Sequence, residues 1–174
     1  MTIVTNIKID ENKINFAKNI ISKMYDELSE CIKKGHGPFL ASIYQKDKLI
    51  AKCANSVVLD KCSNNHAEMN TIKKAQEYFQ TYNLSSYDLS IYITAEPCIM
   101  CLGAIMWSGI KEVYFGVSSF DVEKITGFDE GFKPNWFEEF KKRNISVYGK
   151  IEEEKGKQIL QSYVDMGNII YKPN

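Results

Sequence analysis

Apolar residues recur at three- and four-residue steps between Asp10 and Lys34: Ile14, Ala17, Ile21, Met24, Leu28 and Ile32. That spacing predicts an amphipathic helix, with Asp10 as its N-cap and Gly35 where a left-handed C-terminal residue is expected. Gly35-His36-Gly37-Pro38 then reads as a turn. Two β-rich runs follow, Phe39 to Gln45 and Lys48 to Asn55, joined by a tight turn at Lys46-Asp47, which is the pattern of a hairpin. Past a polar stretch from Ser56 to Asn65, helices are predicted from about His66 to Phe79, Cys98 to Ser108 and about Glu152 to Gly167. Strands are predicted at Leu89 to Thr94, Lys111 to Val117 and Ile145 to Tyr148, and Pro134 suits the first position of a helix carrying Trp136, Phe137 and Phe140. Helices alternating with strands from residue 66 onward imply a largely parallel sheet behind the antiparallel hairpin. The expected fold class is α/β, a three-layer α/β/α sandwich with a mixed sheet of about five strands, in one domain spanning 1–174.

Composition narrows this picture only at its edges. The 174 residues are 44% hydrophobic and 25% charged, the profile of a globular domain with a real core. Lys plus Arg equals Asp plus Glu at 22 each, which gives no global attraction to nucleic acid or membrane. No apolar run approaches the roughly 18 residues a membrane span needs, and the N-terminal residues lack a signal-peptide core. The cysteine count, five, is odd, so the expected home is a reducing cytoplasm.

The chemistry concentrates in two short stretches, His66-Ala67-Glu68 and Thr94-Ala95-Glu96-Pro97-Cys98-Ile99-Met100-Cys101. Cys98 and Cys101 are three apart on a helical turn, so both thiolates can reach one metal ion, and His66 completes three protein ligands. Three ligands leave a tetrahedral position for water, the arrangement of a catalytic zinc site. Glu68 is placed to carry protons for that water. Read singly, Cys98 and Cys101 also fit buried small hydrophobes or a redox pair, and His66 a helix-start residue bonded to backbone. A redox motif, however, would leave His66 and Glu68 without a job. H-x-E together with P-C-x-x-C is the zinc deaminase signature. Both ligand groups fall at predicted helix starts, whose partial positive charge favours thiolate and hydroxide. The expected reaction is hydroxide attack on an amidine-like carbon, with Glu68 passing the proton to the ring nitrogen and then to the leaving amine.

The chain resembles the cytidine-deaminase-like superfamily, and within it bacterial guanine deaminases and their nucleoside-deaminase relatives. The resemblance runs from Gly37-Pro38-Phe39 through Asn55 and both zinc stretches, including Leu102-Gly103-Ala104-Ile105, to Gly127-Phe128-Asp129-Glu130. It implies one zinc per chain on His66, Cys98 and Cys101, with Glu68 as proton shuttle. It also implies Asn55 as a hydrogen-bonding partner of the substrate base, Phe39 and Trp107 as pocket aromatics, and Glu130 as a second carboxylate near the exocyclic amine. Glu130 stands where guanine deaminases carry an aspartate, and Leu40 where the family has a small residue. Each assignment has a plainer counterpart: Asn55 as a strand-end turn residue, Phe39 and Trp107 as core, Glu130 as a solvated charge. Cys31, Cys53 and Cys62 belong to no motif and read as buried small hydrophobes, with Cys62 the one competing ligand.

The leading expectation is therefore hydrolytic deamination of guanine to xanthine with release of ammonia. Deamination of adenosine in transfer RNA uses the same signature but needs a basic, aromatic surface, and Lys141-Lys142-Arg143 is the sole tight basic cluster. Cytosine or a triazine-type ring is a further alternative, since metal chemistry does not identify the heterocycle; a non-enzymatic zinc module would leave Glu68 unexplained. The apolar C-terminal third (Trp136, Phe137, Phe140, Ile159, Leu160, Tyr163, Val164, Met166) suggests contact with a partner subunit, and the resemblance implies a homodimer in which the segment from about 152 to 174 is exchanged. Tyr163 or Tyr171 would then reach the neighbour's pocket. A monomer whose final helix packs on its own sheet is the alternative.

Overall fold

The first apolar stripe forms helix α1, Glu11–Lys33, which buries Ile14, Ala17, Ile21, Met24, Leu28 and Ile32. Asp10 caps it as expected, its carboxylate accepting from the Asn12 and Lys13 amides. At the other end Gly35 is left-handed at φ 88°. The Gly35 amide donates to the Ile32 carbonyl and the His36 amide to the Cys31 carbonyl, a Schellman termination that turns the chain sharply toward the hairpin. The structure, a computed structural model, describes residues 2–4, 10–132 and 134–171.

The hairpin consists of β2, Leu40–Gln45, and β3, Lys48–Ala54. A short helix α2, Val57–Asp60, interrupts the polar stretch, and α3, Ala67–Phe79, follows it. Strand β4, Leu89–Ala95, leads into α4, Ile99–Ser108, and β5, Glu112–Val117, follows. Helix α5, Ser119–Thr126, was not anticipated from the sequence; its N-cap, Ser118, accepts from the Asp121 amide. Helix α6 is Trp136–Lys142, β6 is Ser146–Gly149 and α7 is Glu153–Asp165. Pro134 does not open α6 as expected, because Asn135 takes the cap and the helix begins at Trp136, two residues after Pro134.

The five expected strands form one mixed sheet, and an edge strand, β1 (Thr2–Val4), adds a sixth. Spatial order is β1-β6-β5-β4-β2-β3. The β4–β5 and β5–β6 pairs are parallel, while β1, β2 and β3 pair antiparallel with their neighbours. Helices α1, α5 and α7 cover one face and α3, α4 and α6 the other, which completes the three layers. Central strand β4 is covered on both sides: Ile91 and Ile93 face the α3–α4 core and Tyr92 the α1 core. Among the described residues no helix is long and apolar enough to cross a membrane.

Tyr25 ties the α1 layer to the sheet. Its buried hydroxyl donates to the Thr94 carbonyl at 2.6 Å, three residues before Pro97. Two glycines make room for it, Gly116 on β5 and Gly156 on α7. A Cβ on Gly116 would overlap the Tyr25 hydroxyl and stand 2.5 Å from the Thr94 carbonyl oxygen. Gly116→Ala is therefore expected to lower stability by about 1–3 kcal/mol, the usual cost of overpacking a filled core, measured as a shift in urea midpoint without change in m.

Candidate active site

Both helix starts converge at the C-terminal end of β4. His66 is the N-cap of α3 and Cys98 the N-cap of α4, positions usually held by Ser, Thr, Asp or Asn. Neither side chain makes a capping hydrogen bond; both turn away from their own helices toward each other. Backbone still starts each helix normally, since the Asn70 amide donates to His66 O and the Leu102 amide to Cys98 O. Cys101, one turn into α4, is fully buried.

The three donor atoms form a nearly equilateral triangle. Cys98 Sγ lies 3.6 Å from His66 Nδ1, Cys101 Sγ 3.7 Å from the same nitrogen, and the two sulfurs are 3.7 Å apart. Tetrahedral zinc, with bonds of about 2.3 Å to sulfur and about 2.0–2.1 Å to nitrogen, requires edges of about 3.6–3.8 Å. Among the described residues this is the one group of three His, Cys, Asp or Glu side chains able to share a metal ion. His66, Cys98 and Cys101 thus fit a zinc ion in both geometry and donor chemistry.

The electrostatics suit such a site. A hydrogen bond from Cys101, followed by bonds from His66 and the Cys101 amide, holds the Cys98 thiol down at about 4 against the cost of burial. The same pair pushes Cys101 well up, through its bond to the Cys98 thiolate and its own burial. Burial pulls His66 down, but the hydrogen bond and charge of Cys98 outweigh it, so the imidazole titrates above its ordinary value. Glu68 lies just inside α3 and is buried; desolvation first, then the Cys98 charge, raise its carboxyl to about 7. It can therefore hold or release a proton near neutrality.

A small pocket, partly open to solvent, lies over this triangle. The structure brings Phe39, Asn55, Glu68 and Glu130 into its wall together with His66 and Cys98. Asn55 is buried, its Oδ1 accepting from the Val57 amide at 3.2 Å and its Nδ2 donating to the Tyr171 hydroxyl at 3.0 Å. Phe39 packs on Phe128 with ring centroids 5.5 Å apart. Glu130 is held on a loop after α5, where its amide donates to Glu123.

Trp107 is not brought to the pocket. Cys101, Leu102, Ile105 and Ser108 repeat every three to four residues and take the buried face of α4, which turns Trp107 outward at 82% exposure. It lines a separate groove with Met69, Ile72 and Tyr82. Leu40 is buried in the α1-side core, not in the pocket wall. Cys62 is exposed and not the buried hydrophobe expected, while Cys31 and Cys53 are half-buried. In the C-terminal third, Trp136, Phe140, Leu160 and Tyr163 are buried within their own chain. Tyr171 closes on its own pocket, its ring against His66 and Phe128.

Sequence reasoning passed over Glu96, which also lines the pocket. Its carboxylate accepts from the Ser119 amide at 3.0 Å and from Trp136 Nε1 at 3.3 Å, tying the metal motif to α5 and α6. Its place directly before Pro97 was the available signal.

A three-layer sandwich carrying this triad and a buried glutamate at the end of a parallel strand pair defines a zinc-type deaminase fold. A model of the MafB19-like deaminases matches residues 15–163, so the chain belongs to the MafB19-like deaminase family. It is 38% identical over 96 residues to a guanine deaminase of Bacillus subtilis, an alignment covering 55% of this chain and 60% of that protein. It is 33% identical over 132 residues to a tRNA-specific adenosine deaminase of the same organism, covering 75% and 78%. The match thus spans less than two thirds of the first of these relatives. Among solved structures, guanine deaminase from Nitrosomonas europaea aligns with TM-score 0.80 at 33% identity, over 84% of this chain and 83% of that one. A chain crystallised with 2,6-diaminopurine aligns with TM-score 0.83 at 33% identity, over 89% and 85%.

Metal analysis of the purified protein is expected to give one zinc per chain, and Cys101→Ala to lose it. Full occupancy in that variant would remove Cys101 from the ligand set.

Proposed function

We propose that the protein is a zinc-dependent aminohydrolase that converts guanine to xanthine. The observation that carries this reading is the confinement of Glu68, Asn55 and Glu130 in one small pocket over the donor triangle. His66, Cys98 and Cys101 would hold zinc. When bound, that ion supplies a Lewis acid able to bring the pKa of water to about 7.

The chain's own groups supply the rest. Asn55 presents an amide from a rigid, buried position and fixes the base by hydrogen bonding. Phe39 and Phe128 offer apolar walls to a flat ring. Glu68 takes a proton from the attacking water and delivers it to the ring nitrogen beside the amine-bearing carbon. It then takes the second proton from the new hydroxyl on that carbon and gives it to the leaving amine as the carbon–nitrogen bond breaks and the carbonyl forms, so water enters and ammonia leaves. Glu130 presents a second carboxylate to the exocyclic amine.

Size supports a free base over a polynucleotide. Tyr171 and the 127–131 loop cover the pocket, and the formal net charge of +0 gives a phosphate backbone nothing to follow. We further propose a homodimer formed through the α3–α4 face, where Trp107 and Tyr82 are 82% and 85% exposed. A cytoplasmic location suits five free cysteines.

Ammonia release across guanine, guanosine, cytosine, adenine and a transfer RNA anticodon hairpin tests the substrate. Guanine is expected to lead, and a clear preference for the hairpin would overturn the reading. Glu68→Gln should retain zinc yet lose about 100- to 10,000-fold in kcat, the usual worth of a positioned proton carrier. Light scattering is expected to show a dimer that Trp107→Glu converts to a monomer.

A further inference from the structure

Behind the pocket wall, Asn55 is held by a second histidine. His36 Nδ1 lies 3.0 Å from the Asn55 backbone oxygen. A carbonyl can only accept, so this ring nitrogen carries the proton and the tautomer is fixed by its partner. The Gly37 amide donates to the same oxygen at 3.2 Å, and the Asn55 amide returns a bond to the Phe39 carbonyl at 2.9 Å. Three contacts from consecutive parts of one turn thus fix the backbone of the residue that faces the base.

Local sequence explains why the turn can do this. The Schellman ending of α1 places His36 directly after left-handed Gly35. Gly37 has no side chain because a Cβ there would stand 2.8 Å from Asn55 Oδ1. The Asn55 side chain therefore lies flat against the turn, and its Oδ1 is occupied by the Val57 amide. Movement of the Asn55 carbonyl would carry the side-chain amide with it. His36 itself lines a solvent-open groove on the far side of this wall and is not among the residues of the pocket.

We propose that His36 is a positioning residue for base recognition, acting through the backbone of Asn55. The inference rests on the proposed deaminase reading, in which Asn55 binds the heterocycle. Losing the imidazole would leave one of two bonds to the Asn55 carbonyl and a cavity beside it. Asn55 would then sample orientations that do not meet the base. Such a loss weakens binding of substrate and transition state alike, so it raises KM with little change in kcat.

The test compares His36→Ala with His36→Asn, whose side-chain amide nitrogen can occupy the position of imidazole Nδ1. His36→Ala is expected to raise KM for guanine about tenfold with kcat within twofold and zinc content unchanged, and His36→Asn to restore KM. Amide hydrogen exchange at residues 54–57 should accelerate in His36→Ala and recover in His36→Asn, a readout that needs no substrate. Turnover of guanine by the unaltered protein is the control for the deaminase reading. If guanine is refused, the exchange comparison still decides the role of His36. Unchanged exchange and KM in His36→Ala would overturn the proposal, as would equal losses in both variants, which would mark the ring as packing alone.

Discussion

The structure depends on holding two sulfurs and an imidazole nitrogen within 3.7 Å of one another, two of the three on side chains that start helices. Two thiolates this close repel each other, so the arrangement favours a cation between Cys98 and Cys101. Backbone supplies the compensation available in the protein alone: two helix N-termini, each with a partial positive charge of about half a unit, point at the same spot. The parallel pair β4–β5 makes this possible, because a parallel connection must leave and re-enter the sheet through a helix. The helix leaving β4 is the one that carries Cys98 and Cys101. Tyr25 fixes the height of that exit by gripping the Thr94 carbonyl from the opposite layer.

The elements that build this centre were also the legible ones. α1, α3, α4 and the central strands have strong periodicity or unbroken apolar runs, and each lies within a residue or two of its expected bounds. His66, Glu68, Cys98 and Cys101 are local in sequence and so were readable as a spacing. What escaped has short or tertiary causes. α5 spans Ser119–Thr126, too short a run for its amphipathic pattern to stand out. β1 is three residues long and gains its strand character from pairing with β6. Trp107 was read as a pocket aromatic, but helical phase is set by its neighbours: once Cys101 and Ile105 face inward, a residue two beyond Ile105 faces out. His36 carried no signal at all, since its function arises from a carbonyl nineteen residues away.

Recognition and chemistry are divided between different kinds of structure. Glu68 and the donor triad sit on helix starts fixed by the sheet. The walls come from connecting segments: the turn before β2, the residue after β3, the loop after α5 and the C-terminal tail. Such a division leaves specificity to connecting segments, which tolerate change more readily than the elements they join.

Tyr171 sharpens that division energetically. It is held by one hydrogen bond from Asn55 and by ring contacts with His66 and Phe128. A net hydrogen bond contributes about 0.5–1.5 kcal/mol and an aromatic contact a similar amount, so the tail rests on the pocket with a few kcal/mol. On the proposed reading, a free base would need the tail to open only for entry and release, and it would take over the Asn55 amide from the tyrosine hydroxyl. A nucleotide joined to a polymer would have to keep the tail displaced throughout binding, a cost of the contacts that Tyr171 makes with Asn55, His66 and Phe128. On the proposed reading, the same tyrosine that completes a pocket for a small heterocycle would work against a substrate that extends beyond it.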